Sequence, residues 1–267
     1  MTPPSVEPQA DGFFKIVHGA GYGVAVPLLR RIEAGNIAPA DAEKKLKEAL
    51  RTYPWQFEVA WTLSTLYTAS GDFRQACEVR FEACQRLMDI LPEEEEADPT
   101  PLNFEHRESQ FPLLLLRGSA IDHFLFYEFE MAAALFETLL ELDEEDHLGV
   151  TPTLAWCYVA LDELDSFEEI LSDLDDKSAE KALLSLWAEL NFSHSLPAER
   201  VTEFRDRFPA VFREFTADEH EVTEEYLAEI DSDRLSPQAH ARLLWLQTEH
   251  LWQRFPELIV TLKEYAR

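Results

Sequence analysis

At 267 residues, with 52 acidic against 23 basic side chains and a formal net charge of −29, the chain is strongly acidic. Nucleic-acid phosphate and anionic lipid both require clustered lysine and arginine. The densest basic run is Lys44, Lys45 and Lys47 on one short helix, so neither nucleic acid nor membrane is an expected partner. Hydrophobic residues at 46% supply a core, and glycine is scarce at 8. Alternating apolar–polar runs between turn pairs are almost absent, so an all-α chain is expected, as one elongated domain or two compact ones.

In chain order, Met1 to Gly12 (MTPPSVEPQADG) is polar and proline-rich and is expected to be a flexible tail without a signal-peptide pattern. Residues 13–92 read as paired helices. Val26–Glu33 and Asp41–Thr52 come first, the second closed by Pro54. From Phe57 to Arg86 two amphipathic helices follow, hinged at Ala69–Asp72. The first carries Ala60, Leu63 and Tyr67 on one face, and the second carries Ala76, Val79 and Ala83. Gly71 suits the left-handed end of a helix, and Asp72 suits the N-cap of the next. Alanines at 76 and 83 permit a close antiparallel approach. The same pair of alanines stands 34 residues earlier, at Ala42 and Ala49, the period of a helical-hairpin repeat.

Residues 93–108, with four consecutive glutamates and nearby prolines, are expected to be an exposed acidic loop inserted between repeats. Helices resume over residues 109–208. Phe111–Phe126 is apolar nearly all round, and Glu130–Leu142 pairs with it. A helix then restarts at Thr151-Pro152, and Ser166 is the expected cap of Phe167–Leu174. Lys177–Phe192 and Ala198–Phe208 form one more hairpin. Over residues 209–267 the repeat frame is lost. Glu221–Ile230, Pro237–Gln253 and Pro256–Tyr265 are read as helices, the last two as caps that shield the end of the core.

The hairpin at 57–86 resembles a tetratricopeptide repeat. Leu63-Ser64 and Tyr67 stand in that pattern's Leu-Gly and Tyr slots, Gly71 in its turn, and Ala76 and Ala83 in its two alanine slots. Ala42, Leu46, Ala49 and Pro54 match the second helix of a preceding unit, and Ala132, Phe136 and Leu139 that of a third. Ala60 departs from the family's Trp and Arg80 from its aromatic, and the match spans residues 24–175. The resemblance implies an α-solenoid with a right-handed superhelix, its first helices lining a concave groove for a peptide. Residues turned away from the packing face would then be Glu58, Trp61, Thr65 and Thr68 in one unit. Arg117, Ile121 and Phe124 hold those positions in the next, and Trp156 in a third. The family's carboxylate clamp uses Lys and Asn, which these faces do not offer.

Chemistry-bearing motifs are missing: there is no GxxxxGK[ST], GxGxxG, HExxH, CxxC or GxSxG. Cys77, Cys84 and Cys157 read as small core residues of a reducing compartment, and a cytoplasmic location is expected. Asp218-Glu219-His220-Glu221 reads as an acidic helix start, since neighbouring residues cannot close round one ion. No metal, cofactor or catalytic centre is therefore expected. The favoured function is an interaction scaffold binding a protein or peptide, with a basic partner as one account of the net charge. A solvated surface and adaptation to high salt are the other accounts. The alternative is a hydrolase-like enzyme in the C-terminal third, which would need His220 or His240 to meet two carboxylates.

Overall fold

The computed structural model describes residues 2–19, 21–92, 101–230 and 235–266. Among them are fourteen α-helices and one two-stranded sheet, and no described helix is long and apolar enough to cross a membrane. The glutamates at 93–96 lie outside the described residues. The chain divides into two compact units, Met1–Leu154 and Ala155–Arg267.

Unit 1 opens with β1 (Ser5–Pro8) antiparallel to β2 (Phe14–Val17), Ser5 opposite Val17 and Pro8 opposite Phe14. This corrects the expectation of a flexible tail. Four-residue strands are too short to show a period in sequence, and their anchor is distant. Ile16 is buried, the Phe14 N–H donates to the Pro101 carbonyl at 2.7 Å, and Leu102 bridges Phe14. Leu102 is itself buried and donates its N–H to the Leu142 carbonyl at 2.7 Å. The second half of the expected exposed loop is therefore an inner connector. It runs into α5 at Arg107, four residues ahead of Phe111, where the helix was expected to begin.

A 3-10 turn (Tyr22–Ala25) leads to α1 (Val26–Glu33), α2 (Pro39–Thr52), α3 (Phe57–Ser70), α4 (Phe73–Met88), α5 (Arg107–Leu125) and α6 (Phe129–Leu142). Each of α2 to α5 packs on the next, and α3 also packs directly on α5. The α3–α4 turn forms as its residues dictate. Gly71 sits at φ 78°, Asp72 N–H returns to the Tyr67 carbonyl at 2.9 Å, and the Asp72 side chain accepts from Gln75 N–H at 3.2 Å. Ala76 is fully buried in a cluster with Leu46, Val59, Leu63 and Tyr67. Tyr67 also ties α3 to α2, its hydroxyl donating to Glu43 at 2.9 Å.

Where α4 meets α5, Arg80 makes a two-pronged ion pair with Asp122, Nε to Oδ2 and Nη2 to Oδ1 both at 2.7 Å. The side chains are only 12% and 17% exposed. Gly118 lies beneath the arginine stem, where an added Cβ would stand 2.6 Å from Arg80 Cδ. A methylene of contact is thus removed from α5 to let the guanidinium through.

Unit 2 contains the end of α7 (Thr151–Ala160), then α8 (Leu164–Leu171), α9 (Ala179–Ser193), α10 (Ala198–Arg207), α11 (Pro209–Thr216), α12 (Glu224–Glu229), α13 (Pro237–Arg254) and α14 (Glu257–Glu264). α8 starts earlier than expected, capped at Glu163 after Asp162 takes φ 62°. α11 was not expected at all: Pro209 starts a helix there instead of ending the pattern. It packs on α10, α13 and α14. Trp252 of α13 lies 5.7 Å from Trp156, 5.5 Å from Trp187 and 6.0 Å from Phe215, ring centre to ring centre. Residues 218–221, expected as a helix start, form an irregular segment ahead of α12.

Two stability outcomes follow from this packing. Ala76→Leu should cost roughly 1–3 kcal/mol by overpacking, read as a lower melting temperature. An unchanged melt would show that the α3–α4 contact can yield. Asp122→Ala strands a largely buried arginine and should cost about 2–4 kcal/mol. Glu78→Ala, which breaks the exposed Arg74–Glu78 pair, should cost under about 0.5 kcal/mol. Equal losses in a denaturant series would contradict this account of the α4–α5 contact.

Candidate functional site

Seven of the eight residues expected on a binding face lie in unit 1, and five of them, on α3 and α5, stay together at or near the surface. On α3 the buried row Val59, Leu63 and Tyr67 occupies one side, and Trp61, Thr65 and Thr68 occupy the other. Trp61 is half-buried, whereas Thr65 and Thr68 are exposed. The threonine hydroxyls donate to their own helix, Thr65 to the Trp61 carbonyl and Thr68 to the Ser64 carbonyl, each at 3.0 Å. Their lone pairs face outward, one of them 3.5 Å from Arg80 Nη1. Arg117 and Ile121, both half-buried, lie on α5, which packs against α3. Arg117 Nε is buried without a hydrogen-bond partner among the described residues.

Phe124 and Trp156 do not belong to that face. Phe124 is 4% exposed and meets Phe129 edge-on at 5.9 Å, because α6 folds back over the end of α5 and covers it. Trp156 is 2% exposed and lies in unit 2. There it packs on Trp187 at 5.6 Å, and its indole N–H donates to Glu180 at 3.3 Å. Helical spacing placed both aromatics on the outer side, but neighbours contributed by distant parts of the chain bury them.

Arg107 is a residue that the sequence reading missed. It pairs with Glu58 of α3, comes within 4.0 Å of Glu33 of α1, and its guanidinium lies 5.6 Å from the Phe111 ring centre. It thus joins the starts of α3 and α5 beside the candidate face. Its signal was weak, since it lay in a stretch read as loop. An Asx turn, Glu105 N–H on Asn103 Oδ1 at 2.9 Å, precedes the helix start and is the one local cue.

In unit 2 the histidines of interest separate. His220 meets one carboxylate, Glu214, at 2.9 Å, and Arg242 shares that carboxylate at 2.6 Å. The imidazole is stacked on Trp245 at 3.7 Å, so its setting is an arginine-neutralised packing site. His240 is exposed at the start of α13, and no Asp or Glu among the described residues lines the cleft beside it. The arrangement of one histidine with two carboxylates therefore forms at neither position among the described residues.

Glu180, half-buried at the start of α9, is a titratable group of this unit with a shifted equilibrium. Burial pushes its carboxyl above the ordinary 4.5, and the Trp156 indole N–H only partly offsets this. With the folded pKa raised, the ionised form costs stability above that value, and the cost is absent below the unfolded one. Glu180→Gln keeps the oxygen that accepts from Trp156 and removes the charge. It should raise the melting temperature near about pH 8 and change little near about pH 4. A variant destabilised at both pH values would show that the carboxylate has a partner that holds it ionised.

Compared with protein-family models, with curated proteins and with solved structures, the chain matches none.

Proposed function

We propose that the protein is an interaction scaffold of stacked helical hairpins, tetratricopeptide-like in unit 1, that holds an extended or helical peptide of a protein partner. The observation that carries this reading is the α3–α5 face. There Thr65 and Thr68 are exposed and Trp61 and Ile121 half-buried on two helices packed side by side, and Arg117 Nε on the second is unpartnered among the described residues. Aromatic and arginine side chains set among near-neutral contacts are where interface energy concentrates. A net charge of −29 favours a basic partner by speeding encounter, an effect that salt suppresses because the screening length is about 8 Å at physiological ionic strength.

The reading also rests on how the repeat positions are filled. Of the four alanines at the 34-residue spacing, Ala42, Ala76 and Ala83 are at most 1% exposed and Ala49 is half-buried, in keeping with close helix packing. The test begins with capture of partners and continues with surface-binding kinetics on the partner obtained. Trp61→Ala should weaken binding by about 2 kcal/mol, chiefly through faster dissociation. Thr65→Ala should change it little, and raised salt should slow association. A partner that binds Trp61→Ala and Ile121→Ala variants like the parent would rule out this face as its seat.

A further inference from the structure

Three helices of unit 2 start at one place. Ala179 opens α9, Pro209 opens α11 and Pro237 opens α13, and all three residues line a single cleft of about 710 Å³. That volume suits a small organic molecule, since such sites run to about 300–1,000 Å³. Its wall is apolar, formed by Phe208, Val211 and Leu235 with the rings of Pro209 and Pro237. Its charged lining has one sign: Lys177 and Arg207, with His240 at the same rim and no carboxylate among the described residues. In a chain with 52 acidic side chains, such a lining is opposite to the character of the surface as a whole.

The two cations are free to take a ligand. Among the described residues neither Lys177 nor Arg207 has a carboxylate ion-pair partner. Arg207 uses Nη2 on the Asp176 carbonyl at 2.6 Å, which holds the guanidinium in place over the Phe208 ring at 5.0 Å. The nearby Asp176 carboxylate is taken by Lys181 Nζ at 2.6 Å. The positive ends of three helix dipoles add to the same field. A hydrated inorganic anion would satisfy the charge but leave the Phe208–Val211–Leu235 wall wet, and a neutral hydrocarbon would do the reverse. A carboxylate carried on an apolar body answers both.

We propose that this cleft binds a small amphipathic carboxylate of the fatty-acid kind, its charged end at Lys177 and Arg207 and its hydrocarbon along Phe208, Val211 and Leu235. The proposal is independent of the α3–α5 face and survives if that face binds nothing.

The experiment is calorimetric titration of the full chain with decanoate below its micelle concentration, with decanol, acetate and inorganic phosphate as the comparison probes. Decanoate should bind saturably, one per chain, with decanol, acetate and phosphate each weaker by about tenfold or more. Lys177→Glu reverses the charge at the proposed carboxylate end without breaking an ion pair, and should weaken decanoate about tenfold while leaving decanol unchanged. Ala210→Trp, on the cleft lining at the start of α11, should abolish decanoate binding by filling the space. Circular dichroism melts establish that both variants fold. Decanol binding as tightly as decanoate would overturn the proposal, as would phosphate binding more tightly than decanoate. So would decanoate binding that is unaffected by Lys177→Glu or that persists in a folded Ala210→Trp variant.

Discussion

Unit 1 depends on the place where Arg80 of α4 crosses Gly118 of α5 to reach Asp122. Taking two charges out of water costs several kcal/mol per ion, so this pair is not chiefly a source of stability. What it supplies is register. Sliding α5 along α4 by one turn, about 5.4 Å, would leave both groups half-buried and unpaired. The glycine makes the geometry possible, because any side chain there would meet the arginine stem. Since α5 also carries α6 on one side and α3 on the other, setting its register against α4 sets the stacking of both hairpins. The same α3–α5 contact brings the two halves of the candidate face together.

Arg80, one of the two residues at which the sequence departs from the tetratricopeptide pattern it resembles, stands at that crossing. The pattern prefers an aromatic where Arg80 stands, and an aromatic would pack between helices by area alone. An arginine in that slot needs a carboxylate on the next helix, and Asp122 provides it at a separation of 42 residues. Whether a peptide lies along α3 and α5 is a question of the face that this stacking leaves open.

Unit 2 is organised differently, around large aromatic rings rather than small residues. Trp156, Trp187, Phe215, Trp245 and Trp252 meet mostly edge-on, the arrangement favoured by ring quadrupoles. Polar groups enter this interior in neutralising sets, Glu214 with Arg242 and His220, or at a cost, as with Glu180. Around the starts of α9, α11 and α13 the packing leaves space, and the charge there is positive in an otherwise acidic chain.

By itself the sequence determined what depends on near neighbours. Apolar spacing of three and four residues marked Val26–Glu33 and the faces of α3, α4 and α6. Gly71 and Asp72 marked their turn, and the repeated alanines marked close helix contacts, because each signal acts within one or two turns of chain. Only the tertiary structure decided what depends on distant segments. The β1–β2 hairpin is held by Pro101 and Leu102, Phe124 is covered by α6, and Trp156 is enclosed by Trp187 and Trp252. An aromatic on the outer side of a helix is a binding anchor or a core residue according to what packs over it, and helical periodicity carries no information about that second surface. Of the candidate face, Trp61, Thr65, Thr68, Arg117 and Ile121 were therefore legible from spacing. Arg107 was not, because its role is set by Glu33 and Glu58 across three helices. The cleft of Lys177 and Arg207 was hidden for the same reason, since three helix starts far apart in sequence form it only after folding.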